Sequence, residues 1–214
     1  MTKKQKRERM SLIVEKMKEI YPDATCALQW EGEPWRLLIM GMLSAQCTDA
    51  RVNLVCEELF RAYPTASDLA EAPIEEIEGY IRSCGLYHTK AKNAKAACAL
   101  LVKEFGGVLP DNMDDLLRLP GVGRKTANLI LGDVYGKEAY VCDTHCIRIT
   151  TKLGLHKETD QKKIELALKK LLPPEESNDF CHRLVLHGRA VCQARSPKCE
   201  NCCMNGFCRK TGVK

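Results

Sequence analysis

Two groups of residues in this chain of 214 have types and spacings suited to chemistry. The first is Leu119-Pro120-Gly121-Val122-Gly123-Arg124-Lys125-Thr126, followed downstream by Val141-Cys142-Asp143-Thr144-His145. Gly121 and Gly123 allow backbone angles closed to other residues. A turn of this kind ahead of a helical stretch exposes backbone amides at a helix N-terminus, with no side chain to hold an anion away, so it suits a phosphate. Lys125 then falls in the first helical turn, beside those amides. Asp143 supplies a carboxylate that can move a proton or stabilise positive charge. It is equally a good N-cap, and the two roles are compatible.

The second group is Cys192, Cys199, Cys202 and Cys208, spaced C-x6-C-x2-C-x5-C. This spacing closes a compact loop that presents four sulfurs to one inorganic centre. Zinc with four thiolates and an iron–sulfur cluster both satisfy it. The chain holds thirteen cysteines but shows no secretion signal, because Leu12-Ile13-Val14 is cut short by Glu15 and Lys16. The remaining cysteines are therefore expected as reduced core residues, not as disulfides. Arg195 and Lys198, inside the cysteine loop, are placed to project cations toward a phosphate backbone.

Simpler readings of the hairpin remain open or fail on particular residues. A short G-x-G is often only a tight inter-helix turn. Gly123-Arg124-Lys125-Thr126 does not end a P-loop, since Arg124 interrupts the Gly-Lys pair and no glycine stands at the upstream position. A dinucleotide fingerprint needs a third glycine where Thr126 stands, and a strand before the turn.

The elements that must position these groups read as helices throughout. Leu12, Ile13, Met17 and Ile20 mark a first amphipathic helix, and Pro34 opens a second with Leu37, Leu38, Met40 and Leu43. Ser44-Ala45-Gln46-Cys47-Thr48-Asp49 interrupts it, with Thr48 and Asp49 as caps of the next helix and Gln46 as a linker residue. Gly85-Leu86-Tyr87 makes a turn whose leucine would ordinarily fold onto the core. A long helix from Thr89 to Phe105 carries an early basic face at Lys90, Lys92 and Lys95. Asp111 or Asn112 caps a short helix reaching Leu119, and Arg124 to Tyr135 forms the second helix of the hairpin. Asp143 starts a helix to Leu153, Ile164 to Leu172 make another, and Asn178 to Ala190 deliver the chain to Cys192. No strand pattern or repeat emerges.

Hydrophobic residues at 45% and charged residues at 29% describe an ordinary globular chain, and no apolar run approaches membrane-spanning length. A cytosolic location is expected. The formal charge of +5 is too small to identify a partner, but its placement at the two ends suggests an anionic one. Lys3, Lys4, Lys6, Arg7 and Arg9 form the basic start; Arg189, Arg195, Lys198, Arg209, Lys210 and Lys214 form the basic end.

The hairpin and Val141-Cys142-Asp143-Thr144-His145, together with Leu43-Ser44-Ala45-Gln46-Cys47-Thr48-Asp49, Gly85-Leu86-Tyr87, Leu186-His187-Gly188-Arg189 and the cysteine loop, closely resemble the helix-hairpin-helix (Gly/Pro-Asp) DNA glycosylases of the endonuclease III family. The resemblance covers nearly the whole chain. It implies an all-α fold in two helical lobes: a helical-barrel domain at 27–137 containing the hairpin, and a cluster-bearing domain built by both termini, 1–26 plus 138–214. It implies that Gly121, Val122 and Gly123 anchor DNA, that Gln46 fills the space left by a flipped nucleotide, and that Leu86 wedges into the base stack. Lys125 and Asp143 become the catalytic pair, and the four cysteines become ligands of a 4Fe-4S cluster, with Cys203 outside the ligand set. The implied activity is a bifunctional glycosylase and abasic-site lyase acting on oxidised pyrimidines in double-stranded DNA, as a monomer, in the cytoplasm of a bacterium, associated with the nucleoid. One alternative is a mismatch-specific glycosylase of the same superfamily, against which Lys125 argues because the adenine-mismatch branch lacks a lysine there. The other is a non-catalytic helix-hairpin-helix DNA-binding module.

Overall fold

A computed structural model describes residues 3–213; Lys214, counted above with the basic end, lies outside them. The chain is helical throughout, with no strand among the described residues: α1 (Lys3–Ile20), α2 (Pro34–Leu43), α3 (Asp49–Ala62), α4 (Ala66–Glu71), α5 (Ile74–Ile81), α6 (Tyr87–Phe105), α7 (Met113–Leu116), α8 (Arg124–Asp133), α9 (Thr144–Leu153), α10 (Gln161–Lys169) and α11 (Ser177–Ala190). Short 3-10 turns lie at Arg82–Cys84, Pro174–Glu176 and Cys199–Asn201. The all-α expectation holds. Among the described residues no helix is long and apolar enough to cross a membrane.

The chain divides into two compact units, one of residues Cys26–Gly136 and the other of residues up to Thr25 and from Lys137 onward. In the first unit, Pro34 occupies the first turn of α2, where its missing N–H costs nothing. Leu37, Leu38, Ile39, Met40 and Leu43 are all but inaccessible, so this helix is core on nearly every side. Gly41 lets α8 come close: a Cβ there would lie 3.1 Å from Thr126 Cγ2 and 3.2 Å from Leu129 Cδ2. The contact sets α8, and with it the first turn that carries Lys125, directly on this buried helix. α6 packs along α4 and α5 and passes beneath the turn between α7 and α8.

The second unit is built from α1, α9, α10, α11 and the cysteine loop. The buried face of α1 is Met10, Ile13, Val14 and Met17, at the i, i+3, i+4, i+7 spacing of a single helical stripe. Leu12, read from sequence as part of that face, falls off this stripe and is exposed, while Ile20 continues the stripe but is exposed at the last residue of the helix. α9 and α11 approach at Gly188, where a Cβ would stand 2.3 Å from His145 Nδ1. All thirteen cysteines are free thiols, and six of them, including Cys142, Cys146 and Cys181 in this unit, are buried as expected of reduced core residues.

Candidate active site and metal centre

The hairpin is assembled by short-range bonds. Asn112 caps α7 by accepting the Asp115 N–H at 2.9 Å. The helix is shorter than the sequence suggested: beyond Leu116 the chain tightens into turns, with Arg118 N–H on Asp115 O and Leu119 N–H on Leu116 O. Pro120 accounts for this, because its ring disfavours helical angles in the residue before it. Leu119 to Val122 close a turn through Val122 N–H to Leu119 O at 3.1 Å, with proline second and Gly121 third at φ +77°, the pattern of a type II turn. Gly121 is doubly required, since a Cβ there would lie 2.7 Å from Asn93 Cβ of α6.

Gly123 differs from its expectation. Its φ of −98° and ψ of 174° are open to any residue, and an added Cβ would meet nothing within 4 Å. The position is the N-cap of α8, where extended angles are normal. What glycine contributes there is the lack of a side-chain cap, which leaves the end of the helix bare toward solvent. Val122 between the glycines is buried and pins the turn to the core. Lys125 is partly exposed in the first turn, and its ammonium has no hydrogen-bond or ion-pair partner among the described residues.

Two other residues singled out in the sequence belong to the same unit. Gln46 is exposed at φ +54°, and Leu86 is 62% exposed at φ +51° and ψ 26°. Left-handed angles cost a residue other than glycine about 1–2 kcal/mol. The leucine, which sequence logic would fold onto the core, instead stands in solvent on a strained backbone.

Lys90 and Lys95 overturn the basic face read on α6. Lys90 is 6% exposed, and its Nζ donates to the carbonyls of Leu43, Ala45 and Cys84. Lys95 reaches the carbonyl of Ala72. The signal was present in spacing: Lys90 lies on the stripe of buried Ala94, Ala97 and Leu101.

In the other unit, Asp143 caps α9 through Oδ1, which accepts the Cys146 N–H at 2.7 Å. The capping expectation holds, and Oδ2 has no partner among the described residues. The residue is partly exposed.

Cys192, Cys199, Cys202 and Cys208 line one pocket, and Cys203 does not. Val191, Pro197 and Val213 make the wall apolar, while Lys152, Lys198 and Lys210 bring cations to it. Among the described residues no three His, Cys, Asp or Glu side chains converge as a finished ligand set. The loop is held by groups that sequence reading missed. Arg148 donates to Cys192 O at 2.8 Å, His187 Nε2 lies 3.4 Å from Cys202 Sγ, and the Tyr21 hydroxyl pairs with His187 Nδ1 at 3.1 Å. Arg9, counted from sequence as surface charge, donates through Nε to Phe207 O at 3.0 Å and so ties α1 to the loop. Burial raises the Cys192 thiol above its ordinary range, and Lys152 and Arg148 pull it the other way. Arg195 and Lys198 are exposed.

With this geometry in hand, the likeness to known proteins is informative. Residues 39–174 match the profile of the HhH-GPD superfamily base excision DNA repair proteins. Endonuclease III of Synechocystis sp. is 46% identical over 95% of this chain and 93% of its own, and that of Bacillus subtilis is 37% identical over the same shares. A solved structure of a trapped endonuclease III–DNA covalent intermediate, an estranged-adenine complex, superposes with a TM-score of 0.90 at 41% identity, covering 98% of this chain and 97% of that one. The chain belongs to the HhH-GPD superfamily of base excision DNA repair proteins and, within it, to the endonuclease III family.

Proposed function

We propose that this chain removes oxidised pyrimidines from double-stranded DNA and then cuts the strand at the resulting abasic site, as a step of base excision repair. The observation that carries the reading is an unpartnered lysine amine in the first turn of a helix whose N-terminus lacks a side-chain cap, in a chain of the endonuclease III family. The bare end of α8 receives a phosphate, which brings the adjoining sugar to Lys125. The amine, once free of its proton, attacks C1′ and the damaged base leaves with its bonding electrons and takes up a proton. Ring opening gives an imine between Lys125 and the sugar, loss of a C2′ proton expels the 3′ phosphate, and water releases the enzyme. Asp143 stabilises the positive charge that grows on the sugar and assists the proton transfers through the oxygen its cap leaves open.

A base inside a duplex is out of reach, so the nucleotide must be extruded. Gln46 fills the vacated space and Leu86 separates the neighbouring bases. Their exposure on left-handed backbone supports these roles. Gly121, Val122 and Gly123 anchor the strand, and Arg195 and Lys198 add phosphate contacts from the cysteine loop. The protein acts on DNA as a monomer, in the compartment that holds the chromosome.

The four cysteines fit a 4Fe-4S cluster. What supports the fit is a cavity lined by Cys192, Cys199, Cys202 and Cys208, apolar elsewhere, with lysines to offset the charge of thiolate ligands. The cluster would supply cross-linking of a loop that has little secondary structure, and so fix the cations on it. His187, held by Tyr21, is placed to donate a hydrogen bond to the Cys202 sulfur.

The test is a panel of duplexes, each with one defined lesion, incubated with purified protein. Release of oxidised pyrimidines with strand cleavage at the same site is expected. Release confined to mismatched normal bases, or binding without base release, would refute the reading.

A further inference from the structure

Gln46 and Leu86 occupy separate loops, one after α2 and one after the 3-10 turn Arg82–Cys84, yet a single side chain holds both. Lys90 enters from α6, and its Nζ donates to Leu43 O at 2.9 Å, Ala45 O at 2.7 Å and Cys84 O at 2.7 Å. An ammonium has three donors, and all three are engaged. Leu43 is the last residue of α2, Ala45 directly precedes Gln46, and Cys84 closes the 3-10 turn two residues before Leu86. The backbone N–H of Lys90 also donates to the carbonyl of Leu86 at 3.1 Å. A cation at the C-terminal ends of two helical segments is electrostatically well placed, and it satisfies carbonyls that would otherwise be orphaned.

The helix position alone favours an apolar residue: Lys90 shares its stripe with Ala91, Ala94, Ala97 and Leu101, all buried, so what its buried charge offers is the donors to the three carbonyls. We propose that Lys90 is a positioning residue for base extrusion: it clamps the Gln46 and Leu86 loops to one another, so that the two side chains enter the duplex together at a fixed separation. This rests on the reading of Gln46 and Leu86 as the residues that enter the duplex. Without the clamp each loop relaxes out of its left-handed conformation, and the ordering of both must be achieved during extrusion.

The test is a double-mutant cycle on the full-length protein. Lys90→Met keeps the aliphatic stem and removes the ammonium; it is combined with Gln46→Ala and with Leu86→Ala. Single-turnover excision of an oxidised pyrimidine is measured beside affinity for intact duplex and the fluorescence of 2-aminopurine placed next to the lesion. Lys90→Met is expected to slow excision and the fluorescence rise about tenfold or more, to leave intact-duplex affinity within about twofold, and to blunt the further loss from either alanine substitution. Should Lys90→Met fail to fold, Lys90→Arg carries the same cycle, because a planar fork cannot meet three carbonyls arranged for a tetrahedral head. Parent excision rates, strictly additive losses, or an equal loss of intact-duplex binding would overturn the clamp alone. If Gln46→Ala and Leu86→Ala each excise at the parent rate, the assigned roles of those two residues fail and the clamp falls with them.

Discussion

The hairpin and the cysteine loop are the two most distinctive stretches of this chain, and they hold their shape by opposite means. Residues 112–126 are fixed by an Asn112 cap, a proline–glycine turn closed by one backbone bond, and two helices seated on a packed core. Residues 192–208 have one three-residue 3-10 turn, and Met204 is their single buried hydrophobic side chain. They rely on hydrogen bonds donated by Arg148 to Cys192 O, by Arg9 to Phe207 O and by Lys152 Nζ to Gln193 O, and on the proposed link between their four sulfurs. A short segment that buries little apolar surface cannot offset its ordering entropy, so the first region stands alone and the second needs a cross-link. The contrast teaches where substitutions should act: in the hairpin on chemistry and binding, in the loop on folding.

The largest effect expected from this contrast is loss of the proposed cluster. Structural metal centres contribute on the order of 10 kcal/mol, comparable to the whole stability of a small unit. Cys202→Ser should abolish bound iron and unfold the C-terminal loop, whereas Cys203→Ser should retain iron; iron analysis and thermal melting decide, and equal iron in the two variants would break the assignment. Next in size is Asp143→Asn, which should slow base release by about 10²–10⁴-fold. Its melting temperature should barely move, because asparagine caps a helix as well as aspartate does. A large fall in melting temperature with normal chemistry would turn Asp143 into a structural residue.

The two hairpin glycines sharpen the comparison further. Gly121→Ala should destabilise by about 1–3 kcal/mol, from the positive φ and the collision with Asn93. Gly123→Ala should change stability by less than about 1 kcal/mol, because the gain through the unfolded chain is opposed by alanine's poor fit to an N-cap, yet weaken duplex binding. Denaturant titration and fluorescence anisotropy separate the two, and unchanged binding by Gly123→Ala would mean that the bare end of α8 does not meet phosphate.

Much of this was legible beforehand, for physical reasons that differ by residue. Helical spacing, proline and glycine punctuation and the caps at Asn112 and Asp143 act over a few residues, so the all-α fold and the hairpin could be read directly. The stripe of α1 was partly misjudged because Met10 and Val14 face the core in place of Leu12, and because Ile20, though on the stripe, stands exposed at the end of the helix. Gly123 was credited with conformational freedom that its extended backbone does not use. Lys90 was read as surface charge, since composition records its type while only tertiary structure brings the Leu43, Ala45 and Cys84 carbonyls to it. The cysteine spacing indicated a single inorganic centre but not its metal, and the supports from Arg9, Tyr21 and His187 lie too far apart in sequence to leave a local pattern.

The central claim is that Lys125 is the nucleophile, and borohydride trapping tests it most directly. Parent protein incubated with a lesion-bearing duplex and borohydride should yield a covalent protein–DNA adduct, because reduction fixes the imine. Lys125→Gln should yield none and leave the strand intact, while still binding the lesion duplex and melting at the parent temperature. A normal adduct yield from Lys125→Gln would show that another amine forms the imine and would contradict the account.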